Sequence, residues 1–205
     1  ANSTEIAEIA TKLAVEVDQI VFVLPGVDSL RNGYAEAVKK GFKNIHLMKG
    51  THIVTEDEDA HDLPYVKFKV PMIVSGDGRE MTIVEGCGFL IHGEKDQKIT
   101  FIDLTVRSTR AKGLWGCNGM SFDCRRVKFD KCGLYGVRAD ETKGRLTNCQ
   151  VTNCERGIHS RGYSTVEIEG EETRINNNCG RNLFANQIMY YSSFITINKR
   201  RRFEK

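Results

Sequence analysis

Asn118, Arg138 and His159 follow one another at 20- and 21-residue intervals (118 to 138 to 159). A guanidinium neutralises a carboxylate, and a neutral imidazole beside it can abstract a proton which that carboxylate has made acidic. Stacked on consecutive turns of one structure, the three side chains would stand about 5 Å apart. That is close enough for Arg138 and His159 to engage one sugar unit or an acidic peptide. The neighbouring cation disfavours a protonated His159 and leaves a neutral base near pH 7. Asp140 and Arg161 sit two residues beyond Arg138 and His159, so Arg138, His159 and Asp140 are the catalytic candidates. Asn118, Arg138, His159 and Arg161 serve equally as a recognition strip, or as solvated residues of an exposed strand. Trp115 and Tyr135 belong with them: outward they would form a stacking platform, inward they would fill the core. Both orientations stay open.

Other chemistry is poorly supported. His46, His52, His61, His92 and His159 are scattered, and His46 with His52 would make a weak metal pair across a glycine turn. Glu56-Asp57-Glu58-Asp59 with Asp62 lacks the D-x-D-x-D-G spacing of a calcium loop and reads as a solvated loop. Asp123 and Asp140 do not fall at one repeat position, and hydrolysis by a carboxylate pair needs aspartates that converge. No N-x-D, D-D or G-H-G motif occurs. No metal and no cofactor is expected.

The elements that would position these residues change character along the chain. Ser3 or Thr4 can cap a helix with Ile6, Ile9, Ala10, Leu13 and Val17 on one face. Asp28 can cap a second helix with the stripe Leu30, Tyr34, Ala37 and Val38, stopped by Gly41. From Asn44 the apolar period shortens to that of strands broken by glycine. Aligned on glycine, Gly116-Cys117-Asn118-Gly119, Gly136-Val137-Arg138-Ala139 and Gly157-Ile158-His159-Ser160 read as copies of one unit, with looser copies at Gly88 and Asn182. Such a unit cannot bury its apolar face alone and must stack on its neighbours. Three short strands per repeat without a helix describe a parallel β-helix. Cys117, Val137, Ile158 and Leu183 then point inward, followed by Gly119, Ala139, Ser160 and Ala185. Phe122, Leu146 and Val166 also point inward, and Val127 and Phe129 lie over Cys149 and Val151. Cys132, Cys154 and Cys179 form a thiol ladder at one corner.

The segment from Leu30 to Gly86 resembles the start of right-handed β-helices of the pectin-lyase-like superfamily. The matching pieces are Ala37-Val38…Gly41, Ile45-His46-Leu47-Met48-Lys49-Gly50, and Pro71-Met72-Ile73-Val74-Ser75-Gly76-Asp77-Gly78 with Thr82-Ile83-Val84-Glu85-Gly86. Asn148, Asn153 and Asn176-Asn177-Asn178 are similar to that superfamily's asparagine-rich corners. The chain also resembles uncharacterised short β-helix proteins of algae, protists and their large DNA viruses. The resemblance implies an all-β, right-handed parallel β-helix of about six to seven coils with an N-terminal helical cap. Residues 1–43 would be the cap, 44–198 the β-helix and 199–205 a basic tail. For function it is broad, because the superfamily holds lyases, hydrolases, epimerases, tailspikes and interaction domains.

Lys and Arg outnumber Asp and Glu by only 30 to 27, which does not call for a nucleic-acid partner. The basic run Lys199–Arg202 reads as a solvated tail. No apolar run approaches the roughly 18 residues of a membrane span, so no membrane partner is expected. Seven cysteines, an odd number, read as reduced core thiols and favour an intracellular site; Asn2-Ser3-Thr4 fits a glycosylation sequon but changes little. The tight turns favour a non-catalytic module that presents an exposed sheet to a protein or polysaccharide ligand. The alternative is a small lyase, epimerase or depolymerase acting on an acidic glycan. A homo-oligomer is compatible with either.

Overall fold

The computed structural model describes residues 19–55, 65–108, 110–185 and 194–198. The expected first helix, the acidic run, His61 and the basic tail lie outside the described residues. The chain winds into a parallel β-solenoid of about seven turns. β1 (Ile20–Val23) and β2 (Gly26–Val27) begin it, followed by α1 (Ser29–Lys40), β3 (Asn44–Leu47) and β4 (Gly50–Ile53). The third coil holds β5 (Tyr65–Phe68), β6 (Ile73–Gly76) and β7 (Thr82–Glu85). The fourth holds β8 (Gly88–Ile102) and β9 (Thr105–Arg107), and the fifth β10 (Leu114–Arg125) and β11 (Lys128–Asp130). β12 (Tyr135–Asp140), β13 (Lys143–Thr147) and β14 (Gln150–Thr152) make the sixth, and β15 (Arg156–Arg161), β16 (Thr165–Glu169) and β17 (Arg174–Asn176) the seventh. β18 (Leu183–Ala185) and β19 (Phe194–Asn198) close the series.

Pairing sorts these strands onto three faces. Face 1 stacks β5, the start of β8, the start of β10, β12, β15 and β18. Face 2 stacks β1, β3, β6, the ends of β8 and β10, β13, β16 and β19. β8 and β10 run unbroken round the corner between them, so among the described residues faces 1 and 2 form one 12-stranded sheet, while face 3 is a separate 7-stranded sheet. Alternation along each strand sends every second side chain inward. Phe89, Leu114, Val137 and Ile158 stack under face 1, and Val74, Phe101, Cys124, Leu146 and Ile168 under face 2. Val84, Val106, Phe129 and Val151 stack under face 3, with Val127 over Cys149 as the sequence suggests. Each such burial contributes about 1.5–3 kcal/mol. Phe68, Phe89 and Phe101 meet with centroids 4.7–5.5 Å apart and fill the middle of the core.

Left-handed residues turn the corners. Asp103, Arg126 and Asn148 have φ of 56°, 53° and 54° between faces 2 and 3; Lys131, Asn153 and Asn177 have 54°, 57° and 56° between faces 3 and 1. Asparagine tolerates that region best among residues with side chains, which accounts for the asparagine-rich corners. Gly88, Gly113, Gly136 and Gly157 form one column at the start of face 1. A side chain at Gly88 would strike the Lys112 carbonyl of the next coil, and one at Gly157 the Asn182 carbonyl.

Several expectations need correction. Among the described residues solenoid strands already occur at Ile20, ahead of the expected boundary at 44, so α1 lies between two coils and not before them. Asp28 stands at its N-terminus but makes no capping bond, because its carboxylate instead accepts hydrogen bonds from the N–H and hydroxyl of Thr55. Gly41 ends the helix in the left-handed conformation, as expected, and Leu30, Gly33 and Ala37 are its buried face while Val38 is exposed. Phe122 pairs with Gly144 rather than Leu146, although all of the expected residues there are interior. The thiol ladder stops at two: Cys132 and Cys154 are buried, but Asn178 accepts the Cys154 N–H and Cys179 is exposed. One long side chain ignores the coil order: Arg79, in the turn before β7, donates to the Asn148 carbonyl and to Glu172, three and four coils on.

Candidate functional site

The glycine column fixes which residues share the outer surface of face 1. Gly113, not Gly116, is the equivalent of Gly136 and Gly157, so Trp115 pairs with Arg138 and Arg138 with His159. The outward row therefore reads Leu90, Trp115, Arg138, His159, Phe184. Asn118 is not part of it. That residue is exposed, with φ of 56°, where β10 shifts register at the corner to face 2. Cys117, expected inward, lies opposite Asp140 in the next outward row, and Arg161 continues that row. Gly119 likewise leaves the inward column, where Gly116 pairs with Ala139 and Ser160.

Trp115 and Tyr135 both face outward, but they are not register partners. The Arg138 guanidinium lies 5.6 Å from the Trp115 ring and 5.7 Å from the Tyr135 ring, bridging the two. Lys112 Nζ sits 3.9 Å over the Trp115 ring and donates to the Tyr65 hydroxyl at 3.1 Å. Arg156 covers Tyr135 and bonds its hydroxyl at 2.7 Å, and Arg181 covers Phe184. His159 fills the remaining step, with Tyr135 stacked at 5.1 Å and Phe184 at 5.0 Å. Rings and cations thus alternate over several coils, an arrangement that favours cations held partly out of water.

One carboxylate organises the strip. Asp140 Oδ2 accepts from Trp115 Nε1 at 2.8 Å and from Arg138 Nε at 2.7 Å. Its Oδ1, and both ring nitrogens of His159, are buried without a hydrogen-bond partner. Burial, then the Arg138 cation, lowers the His159 pKa below its usual value, so the ring is neutral near pH 7; the cation expected from the sequence acts, but burial is the larger cause. The same two causes in the same order lower Lys112, which is 4% exposed. Burial raises Tyr65, and burial followed by Asp140 raises the Cys117 thiol.

Tyr65 and Lys112 escaped the sequence reading. Lys112, Tyr135 and Arg156 each directly precede a glycine of the column, and that was the available signal. The other histidines separate: His46 bonds Ser75 and Asp77 on face 2, whereas His52 is buried between Ser29 and the Met48 carbonyl. Among the described residues no group of three or more His, Cys, Asp or Glu side chains could hold a metal ion. No helix among them is long and apolar enough to cross a membrane.

Fold and site together define a parallel β-solenoid with a basic, aromatic outer strip. Comparison with protein-family models, with curated proteins and with solved structures finds no match.

Proposed function

We propose that face 1 is a non-catalytic binding surface for an anionic partner, glycan or protein, on a β-helix of the pectin-lyase-like kind. The observation that carries this reading is the alternation of Lys112, Arg138, Arg156 and Arg181 with Trp115, Tyr135 and Phe184 around a single carboxylate. Aromatic faces hold Arg156 and Arg181 in place without cancelling their charge, and Asp140 is the one carboxylate set against Arg138, so the strip stays electropositive. Turnover is less well supported. His159 would be the base, yet its nitrogens are buried, and Arg138 is already bound to Asp140. A reducing, intracellular setting belongs to the same reading, since Cys132 and Cys154 are sealed in the core.

The test is calorimetric binding of a polygalacturonate oligomer and of an acidic peptide, at low and high salt. Arg156→Ala with Arg181→Ala should weaken binding at least about tenfold and reduce its salt dependence, because both side chains are exposed and ion-like contacts are screened. Depolymerisation of a uronate polymer that disappears in Arg138→Ala/His159→Ala would replace the module by the enzyme. Absence of binding to either anion would remove the reading.

A further inference from the structure

The eighth coil differs from those before it. It has β18 on face 1 and β19 on face 2, but among the described residues no strand lies over β17 on face 3. β17 is therefore the edge of the 7-stranded sheet. Arg174 N–H is donated back to the Cys149 carbonyl, and alternation along the strand turns the Ile175 N–H towards that open edge. Beside it the interior opens as a cavity of about 890 Å³.

The cavity is apolar below and acidic above. Ile168, Ile175, Leu183 and Ile197 line its floor. Ile197 stacks on Ile168, yet it is 50% exposed where Ile168 is 2% exposed, so an inward column comes to the surface here. Glu169, Glu171 and Glu172 stand at the rim with Arg174. Arg79 reaches Glu172 from the third coil, and the rim still keeps an excess of negative charge. An uncovered strand edge over apolar side chains is a template for another segment. The segment that suits this one is extended, carries several cations and has one large apolar side chain.

Residues 199–205, Lys-Arg-Arg-Arg-Phe-Glu-Lys, have that composition. They also start in the right place, because Asn198 is the register partner of Glu169 on the rim. Thr147, Glu169 and Asn198 are equivalent on successive coils. The inward face-3 residues Val151 and Ile175 follow Thr147 and Glu169 by four and six positions (147 to 151, 169 to 175). Phe203 follows Asn198 by five (198 to 203), between those two spacings.

We propose that residues 199–205 close this end of the solenoid in cis, adding to the β17 edge with Phe203 over the apolar floor and Lys199–Arg202 against the glutamate rim. Tethering makes the encounter intramolecular, with an effective concentration on the order of millimolar, so the chain's own segment outcompetes a free one of the same composition. An edge closed in this way no longer pairs with other chains. Nothing in this rests on the reading of face 1.

Amide hydrogen exchange by NMR on the whole chain tests it. The Ile175 N–H is the reporter, and Val151 in β14, which is paired on both sides, shows whether the fold is intact. Ile175 should exchange at least about tenfold faster in Phe203→Asp and in Arg200→Glu/Arg201→Glu than in wild type, with Val151 unchanged. Phe203→Leu should keep the protection, and high salt should weaken it in wild type by screening the rim. Equal exchange of Ile175 in wild type and Phe203→Asp overturns the proposal. So does protection that grows with protein concentration alongside a dimer in sedimentation, which would seat a second copy on the edge.

Discussion

Faces 1 and 2 share strands, rung spacing and a corner, yet only face 1 adds aromatic rings to the restraint of its arginines. On face 1, Arg156 and Arg181 rest on aromatic rings, and Arg138, between Trp115 and Tyr135, is held by both rings and by Asp140. On face 2, Arg125 and Arg145 are clamped to Asp123 and Glu167, and at the corner beyond them Arg126 is clamped to Asp103. A ring fixes a cation without neutralising it, while a carboxylate fixes it and cancels it. The inward columns beneath are chemically alike. The difference teaches that a stacked backbone supplies the spacing, and the outward residue at each rung decides whether the surface projects charge or absorbs it.

The largest effect should come from breaking what the faces share. Val137 is 0% exposed beneath the aromatic strip, and Val137→Asp puts an unpaired charge there. A loss above about 4 kcal/mol is expected, enough to abolish cooperative melting by circular dichroism. A melt close to wild type would mean that the outer contacts hold the coils together.

Next comes the contrast itself. Trp115→Ala removes the platform under Lys112 and Arg138 and a partner of Asp140, and should cost about 2–3 kcal/mol in urea unfolding, somewhat below a fully buried tryptophan. Arg145→Ala breaks a half-exposed pair and should cost at most about 1 kcal/mol. Equal losses would erase the distinction between ring-held and carboxylate-held cations.

The smallest effect concerns pH. Burial lowers the His159 pKa from its ordinary 6.5, with Arg138 adding to it, so below about pH 6.5 the unfolded chain binds a proton that the folded chain refuses. Stability is therefore fullest above that pH and falls as pH drops towards the folded pKa. His52, lowered chiefly by burial, acts in the same direction. His159→Phe preserves the stack between Tyr135 and Phe184, and should make the decline in melting temperature from pH 7 to 5 shallower without flattening it. An unchanged slope would show that His159 titrates as it does in the unfolded chain.

How far these features could be read beforehand depended on what repeats. The solenoid was legible because every coil needs its glycine and its left-handed corners, and Gly136, Gly157, Asn148 and Asn153 supplied them in order. Register was less so. Gly113 and Gly116 lie three residues apart, and both fit the spacing. Only close approach to the neighbouring coil selects Gly113, and the register shift after Cys117 absorbs the difference. That slip put Asn118 in a place held by Trp115, while Arg138 and His159 were paired correctly. Lys112 was marked only by its place before a column glycine, and its bond to Tyr65 depends on contacts between coils, which no spacing along the chain encodes.

Arg79 carries a mechanical consequence. Coils of a solenoid touch only their neighbours, so under tension from its ends such a molecule unravels one turn at a time. Arg79 is a guy rope across that sequence of events, fastened at one end in the third coil and at the other to Asn148 and Glu172. Peeling the last turns away must cut it first, so the force needed should peak early and then fall.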